Sequence, residues 1–165
     1  VARRRIIQTI TLSKAFGAYG GAILSSRSFR EKVIDRSRAF IGNTPLPLPL
    51  ANAALQAVDI LLGDKSLRKR LWANADTVKE TALKLRLNLS TDCVMTPGPI
   101  LRLAPESESQ ARAVHRALRA AKIFPPFTQY PGSGSGAFRF VISSEHTSGQ
   151  IENLLGALST AARSF

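Results

Sequence analysis

The chain has 165 residues, of which 44% are hydrophobic, and this is enough for one domain or for a small domain with part of a neighbour. Its net charge is +12, but the basic residues are spread along the chain without interleaved aromatic residues, so a nucleic-acid interface is not indicated. One cysteine, Cys93, excludes an intrachain disulfide and a cysteine-rich metal site, and no apolar run predicts a membrane span. We therefore expect a cytoplasmic protein that binds neither nucleic acid, membrane nor metal.

The first third of the chain predicts two strands and two helices. Strands are expected over Ile6–Thr11 and Ala22–Ser25, on either side of a glycine-rich turn. A helix over about Ser28–Phe40 follows. Pro45, Pro47 and Pro49 predict a stretch that is not helical, and apolar residues then recur at helical spacing from Leu50 to Leu62.

The remainder of the chain predicts a long helix followed by a small α+β domain. Apolar residues every three or four positions indicate an amphipathic helix from Ser66 to Leu87. Strands over Ile100–Leu103 and Phe138–Ile142 alternate with helices, and Thr147 and Gln150 form a capping box at the start of the last helix. The order favours antiparallel pairing. The predicted core consists of Leu101, Leu103, Val114, Leu118, Phe140, Ile142, Ile151, Leu154 and Leu158.

The segment around Lys14 combines a reactive amine with hydroxyl groups and glycines. It runs Thr11-Leu12-Ser13-Lys14-Ala15-Phe16-Gly17-Ala18-Tyr19-Gly20-Gly21. A partly desolvated lysine can form a Schiff base, and hydroxyls beside free backbone N–H groups can hold a phosphate. On spacing alone, a surface lysine before a glycine-rich turn explains the same residues, so both interpretations stay open.

Three motifs in a fixed order resemble those of the α-oxoamine synthases, a family of pyridoxal-phosphate (PLP) enzymes. The first is the Lys14 segment with the following Gly-Gly-Ala-Ile-Leu-Ser-Ser. The second, Phe40-Ile41-Gly42-Asn43-Thr44-Pro45-Leu46-Pro47-Leu48-Pro49, is similar to a Phe-x-x-(Ser/Thr)-x-x-x-Pro stretch. The third, Phe138-Arg139-Phe140-Val141-Ile142-Ser143-Ser144-Glu145-His146-Thr147, is similar to a Leu-Arg…His-Thr segment. Together they cover most of the chain.

The resemblance implies the α/β fold of a PLP-dependent transferase of fold type I, like aspartate aminotransferase. Residues 1–65 would be a remnant of the large PLP-binding domain with its parallel sheet, 66–90 a linking helix, and 91–165 a small C-terminal α+β domain. In the family, a phosphate loop, a stacking ring and an Asp facing the pyridinium nitrogen precede the lysine. The residues before Lys14 contain no Asp, Glu, His or Gly, so we expect a C-terminal portion of a longer polypeptide.

The resemblance also assigns roles to five residues. Lys14 would bind PLP as a Schiff base and later remove the substrate's α-proton, while Thr11 and Ser13 would bind the phosphate. Thr44 would reach the phosphate of the neighbouring subunit's PLP in a homodimer. Arg139 would bind the carboxylate of the amino-acid substrate.

The alternating sequence pattern around Arg139 allows a second explanation for an arginine at this position. A buried guanidinium needs an anion, and its planar fork suits a carboxylate. Alternation equally allows an outward-facing Arg between the two inward-facing residues Phe138 and Phe140. The resemblance favours the carboxylate role.

The reaction implied is condensation of an amino acid, L-alanine, with a pimeloyl-type thioester of CoA or acyl-carrier protein, with decarboxylation, as in biotin precursor synthesis. Ala22, where the family often has an aromatic residue, and Tyr130-Pro131-Gly132-Ser133, where it often has Pro-Thr-Val-Pro, leave acyl selectivity open. The alternatives are a fold-type-I aminotransferase and a non-catalytic basic binding or interface domain.

Overall fold

The computed structural model describes residues 6–90, 98–129 and 136–164. They fall into two compact units, Val1–Lys65 (unit 1) and Ser66–Phe165 (unit 2), and each is described by itself. Cys93 and the segment 130–133 lie outside the described residues.

Unit 1 contains a β-hairpin followed by two helices. Strands β1 (Gln8–Thr11) and β2 (Gly21–Leu24) pair antiparallel, with Thr11 opposite Gly21. Both predicted strands are confirmed, but β1 begins two residues later than predicted and β2 is shifted by one residue towards the N-terminus. The expected parallel arrangement is not found in this pair, because the loop 12–20 is too short for the crossover of about a dozen residues that parallel strands require.

The two helices of unit 1 differ from their predicted bounds. Helix α1 (Arg27–Arg36) begins after the N-cap Ser26 and ends before Phe40, since Ser37 is extended. Helix α2 (Leu48–Gly63) includes Pro49 in its first turn, so the prediction that Pro49 is not helical was wrong. The N–H groups of a first helical turn have no intrahelical partner, and a proline there loses nothing.

Unit 2 places helices around a three-stranded antiparallel sheet. Its elements are α3 (Lys65–Lys84), β3 (Ile100–Leu103), α4 (Glu108–Ala120), β4 (Phe127–Thr128), β5 (Ala137–Val141) and α5 (Ser148–Ala162). The sheet order is β3-β5-β4, which confirms the predicted antiparallel pairing. The two-residue strand β4 is too short to give a sequence pattern. The capping box of Thr147 and Gln150 is present at the start of α5.

All nine residues predicted as the core of the small domain are buried in unit 2. Leu101, Leu118 and Leu158 are each 1% exposed, and burying such a side chain stabilises the fold by about 1.5–3 kcal/mol. Helix α3 contributes Ala75 and Val78 to the same cluster. The division into domains at 65 and 90 stays a prediction.

Unit 1 has a much smaller core. Leu12 and Ala18 are its buried hydrophobic residues among those that the structure describes, and neither α1 nor α2 contains a buried residue. Large apolar side chains on α2 are exposed, for example Leu55 at 63% and Leu62 at 72%. This unit therefore offers extensive apolar surface.

Candidate active site

Lys14 lies on a short, well-defined loop between β1 and β2, which we call the lysine loop (residues 12–20). The N–H of Leu12 donates to the carbonyl of Gly20 at 2.9 Å, and the N–H of Ala18 donates to the carbonyl of Leu12 at 2.9 Å. The buried side chains of Leu12 and Ala18 anchor the loop. Lys14 thus lies beyond the strand end, with its position fixed by backbone bonds on both sides.

Two glycines give the lysine loop its conformation. Gly17 has a φ of +59°. Its N–H donates to the carbonyl of Lys14 at 3.0 Å, which closes a turn. Gly20 has a φ of +104°. Residues with a side chain rarely adopt such values, so the glycines are needed to bring the chain back to β2.

The hydroxyl groups predicted to bind phosphate lie together beside the lysine. Oγ1 of Thr11 and Oγ of Ser13 are 2.8 Å apart, and the N–H of Ser13 donates to Oγ1 of Thr11 at 3.3 Å. Thr11, Ser13 and Lys14 are all exposed. The Lys14 amine makes no hydrogen bond or ion pair with the residues that the structure describes. The hydroxyl at the end of β1 and the hydroxyl and amine on the lysine loop have the chemistry to bind the phosphate and the carbonyl carbon of PLP, respectively.

Thr44 lies on the exposed connection between α1 and α2. This connection approaches the lysine loop, because a Cβ at Gly20 would lie 3.7 Å from a methyl carbon of Leu46. Leu46, two residues after Thr44, therefore lies close to the lysine loop within unit 1.

Arg139 belongs to unit 2 and lies at the centre of β5, the middle strand of the sheet. Its neighbours Phe138 and Phe140 are buried, at 3% and 7% exposed, whereas Arg139 is half-buried on the opposite face. The outward orientation predicted from alternation is thus found. It leaves the guanidinium able to contact a ligand, and no side-chain partner of Arg139 occurs among the described residues.

A groove of about 600 Å³ lies beside Arg139 within unit 2. Its walls include Ile123, Phe124, Pro126, Val141 and His146. The ring Nδ1 of His146 accepts from the N–H of Ser143 at 3.2 Å, so local structure accounts for this histidine. An apolar groove with one arginine at its wall suits a carboxylic acid with an apolar portion.

Arg102 is a second arginine in the sheet, and the sequence pattern of β3 alone does not identify it as a candidate site residue. In the sheet it lies directly opposite Arg139. Alternation along β3 shows only that the Arg102 side chain lies on the other face of the sheet from Leu101 and Leu103. Its position opposite Arg139 depends on tertiary packing, because the two strands are far apart in sequence.

Other kinds of site find no support in the described parts of the chain. His115 is exposed on α4, and no cluster of three or more His, Cys, Asp or Glu side chains suitable for a metal occurs among the described residues. None of the described helices has the length and apolar character needed to cross a membrane.

The sequence is similar to those of known enzymes over most of its length. A family model for aminotransferase class I and II matches residues 2–158. An 8-amino-7-oxononanoate synthase 1 of Bacillus velezensis is 28% identical over 159 residues, which are 95% of this chain and 40% of that protein. An 8-amino-7-oxononanoate synthase of Anaeromyxobacter dehalogenans is 30% identical over 150 residues, which are 90% of this chain and 37% of that protein. The chain thus spans about two fifths of the length of these relatives.

Solved structures show the same likeness in three dimensions. An 8-amino-7-oxononanoate synthase from Francisella tularensis superposes with a TM-score of 0.78 at 26% identity, over 96% of this chain and 46% of that one. A variant of serine palmitoyltransferase from S. paucimobilis, with a bound PLP–myriocin adduct, gives a TM-score of 0.79 at 26% identity, over 94% of this chain and 39% of that one.

The family model, the relatives and the superpositions agree with one another and with the three sequence motifs. The chain belongs to the aminotransferase class I and II family, in the branch of the α-oxoamine synthases, and has the fold-type-I architecture of PLP-dependent enzymes.

Proposed function

We propose that this chain forms the lysine-bearing part of a PLP-dependent enzyme and that Lys14 binds the cofactor. The observation that carries the proposal is that exposed Lys14 directly follows Ser13, whose hydroxyl is 2.8 Å from that of Thr11 at the end of β1. The hydroxyls would bind the phosphate of PLP, and the amine would bind its carbonyl carbon. PLP-containing structural neighbours and the family match support the same assignment.

Each residue then has a distinct task. When bound, PLP supplies an electron sink for the electron pair released at the substrate's α-carbon. Lys14 Nζ would hold the cofactor in the resting enzyme, and the free amine would accept the α-proton of the bound substrate. Thr11 and Ser13 orient the phosphate, and Thr44 donates to the phosphate in the partner subunit's site. Arg139 binds the substrate carboxylate through two parallel N–H bonds.

The overall reaction we propose is acyl transfer from a thioester to the α-carbon of an amino acid, with loss of CO2. L-Alanine and a pimeloyl-type acyl group, carried by CoA or an acyl-carrier protein, are the proposed substrates, because relatives bear the name 8-amino-7-oxononanoate synthase. A homodimer in the cytoplasm remains a prediction. The groove beside Arg139 offers apolar walls to part of the substrate.

A fold-type-I aminotransferase is the second candidate, since the matching family model includes that class. The two reactions differ in their products. An aminotransferase exchanges an amino group for an oxo group without releasing CO2, whereas the acyltransferase consumes a thioester and releases one CO2 per turnover. Measuring labelled CO2 from carboxyl-labelled alanine distinguishes them.

The cofactor assignment is tested by labelling. The complete gene product is incubated with PLP, reduced with borohydride, digested and analysed by mass spectrometry. We expect the reduced cofactor on the peptide that contains Lys14, and its loss in Lys14→Ala. Lys32→Ala, which removes an exposed lysine of the same unit, is the matched control and should keep the label. Label on another lysine in the wild-type protein contradicts the proposal.

A further inference from the structure

The groove beside Arg139 has a second basic residue in its lining. Lys122, which follows helix α4, lines the same groove of about 600 Å³. Apolar side chains, among them Ile123, Phe124 and Val141, form much of the remaining surface. None of the described residues along this groove is acidic. The groove therefore suits an anionic ligand with a hydrocarbon portion.

The ammonium group of Lys122 is available to a ligand. Lys122 is exposed and takes part in no ion pair or side-chain hydrogen bond within the part of the chain that the structure describes. An anion can therefore pair with this amine without displacing an acidic side chain.

The backbone at Lys122 has a conformation that favours glycine. Its φ is +58°. The N–H of Lys122 donates to the carbonyl of Arg119 at 3.0 Å, and the N–H of Ile123 donates to that of Leu118 at 2.9 Å. These are the two bonds of a Schellman turn, in which glycine commonly occupies this position. Side chains held in such a conformation are concentrated at binding sites, and the turn itself does not need the lysine.

His146 offers a hydrogen-bond donor in the same groove. Its Nδ1 accepts from the N–H of Ser143 at 3.2 Å, so the neutral ring carries its proton on Nε2. No described residue forms a hydrogen bond with Nε2, and His146 is half-buried in the groove lining. The Asn74 side chain holds this loop by donating to the carbonyls of Ser143 and His146 at 3.0 and 3.1 Å. A donor on a fixed loop can bind a carboxylate oxygen.

We propose that the groove binds the acyl chain of the thioester substrate, and that Lys122, assisted by His146, selects a chain that ends in a carboxylate. The inference rests on the proposed function. In that reaction the acyl group is joined to the α-carbon of an amino acid whose carboxylate binds Arg139, so the acyl chain extends from the neighbourhood of Arg139. The apolar walls contact its methylene groups, and the Lys122 ammonium pairs with the terminal carboxylate.

Pimelate and heptanoate, a diacid and a monoacid of equal chain length, are the probes. One carboxylate of either acid takes the place of the substrate carboxylate at Arg139, and only pimelate has a second one for Lys122. Equilibrium dialysis of the complete gene product with each labelled acid, at an ionic strength of about 0.15 M, measures their affinities. We expect pimelate to bind about tenfold more tightly, since a hydrogen bond between charged groups contributes this much.

The main test variant is Lys122→Gly, which removes the ammonium and gives the turn its favoured residue. It should bind the two acids with similar affinity, and its midpoint of thermal unfolding should not fall below that of the wild type.

Arg86→Gly is the matched control. Arg86 has a φ of +56° in an equivalent turn after α3, where Arg86 and Leu87 donate to the carbonyls of Leu83 and Ala82 at 2.9 and 3.0 Å. It does not line the groove. Arg86→Gly therefore removes one positive charge from an equivalent turn and should keep the preference for pimelate within about twofold, because exposed charges interact weakly.

Two further variants separate charge from shape. Lys122→Gln keeps most of the aliphatic stem without the charge and should lose the preference as Lys122→Gly does. His146→Asn keeps an acceptor for the N–H of Ser143 but lacks the Nε2 donor, and it should lose part of the preference. Equal binding of both acids by the wild type, an unchanged preference in the two Lys122 variants, or an equal loss in Arg86→Gly overturns the proposal.

This test does not depend on the cofactor. Lys14→Ala should keep the preference for pimelate, because Lys14 does not line the groove. Loss of cofactor labelling at Lys14 with an intact preference would contradict the proposed function alone. Intact labelling without a preference would contradict the role of the groove alone.

Discussion

Lys14 and Arg139 show how different the surroundings of two candidate site residues can be. Lys14 is exposed on a loop that is held by backbone bonds, and its neighbours Thr11 and Ser13 contribute hydroxyl groups. Arg139 is half-buried in a strand, between residues that belong to the core. A ligand can therefore reach the amine from the loop side, while the guanidinium is oriented by the sheet.

Replacing Arg139 tests its proposed role in substrate binding. In the complete enzyme, Arg139→Ala should raise the KM for the amino acid strongly, since losing one partner of a charge-assisted pair costs about 2–5 kcal/mol. The absorbance of bound PLP should stay unchanged. Steady-state kinetics with varied amino acid provide the measurement, and Arg116→Ala is the control. An unchanged KM would contradict the proposed role of Arg139 in substrate binding.

At the level of elements, Gly136, which directly precedes β5, closely approaches Phe127 of β4. A Cβ at Gly136 would lie 2.2 Å from Cε1 of Phe127. The Phe127 ring contacts Phe138 edge to face, with ring centroids 4.9 Å apart. A side chain at position 136 would therefore displace the Phe127 ring, which is 54% exposed, from its contact with Phe138.

Gly136→Ala should accordingly destabilise unit 2 by about 0.5–1.5 kcal/mol, because the Phe127 ring must move away from Phe138 and the aromatic pair is lost. Gly156→Ala is the matched control, since no atom lies within 4 Å of a Cβ added at this helical position. It should stabilise the protein by about 0.5–1 kcal/mol, because alanine is a better helix former. Urea unfolding of both variants measures the difference, and equal effects would contradict the proposed contact.

At the scale of the whole molecule, the two units differ in how much apolar surface they bury. Unit 2 has a core of interlocked aliphatic and aromatic residues. Unit 1 leaves Tyr19, Leu48 and Leu62 exposed at 68%, 77% and 72%. Apolar surface of this extent marks an interaction surface in soluble proteins.

The 165-residue chain by itself should therefore self-associate and hold PLP weakly. Strong PLP binding uses ring stacking and a carboxylate at the pyridinium nitrogen in addition to the lysine and the phosphate contacts. Light scattering measures the association, and a PLP titration followed by absorbance measures the affinity. A monodisperse monomer with saturable micromolar binding would contradict this prediction.

The sequence was sufficient to predict every helix and strand longer than two residues in the described regions, as well as the small-domain core. The reason is that these elements follow local patterns: helical or alternating spacing, a capping box and glycines at turns. Their ends were predicted less well. The end of α1 depends on the extended Ser37, and Pro49 is tolerated because it occupies the first turn of α2.

By itself the sequence determined the lysine loop, its hydroxyl neighbours and the family resemblance, since these lie close together along the chain or form ordered motifs. Only the tertiary structure decided that Arg102 lies opposite Arg139. The register of two strands that lie far apart in sequence depends on which of their faces are buried in the same core, and no connecting turn fixes it. The same packing leaves Ile100 and Val141 exposed on the face that carries the two arginines.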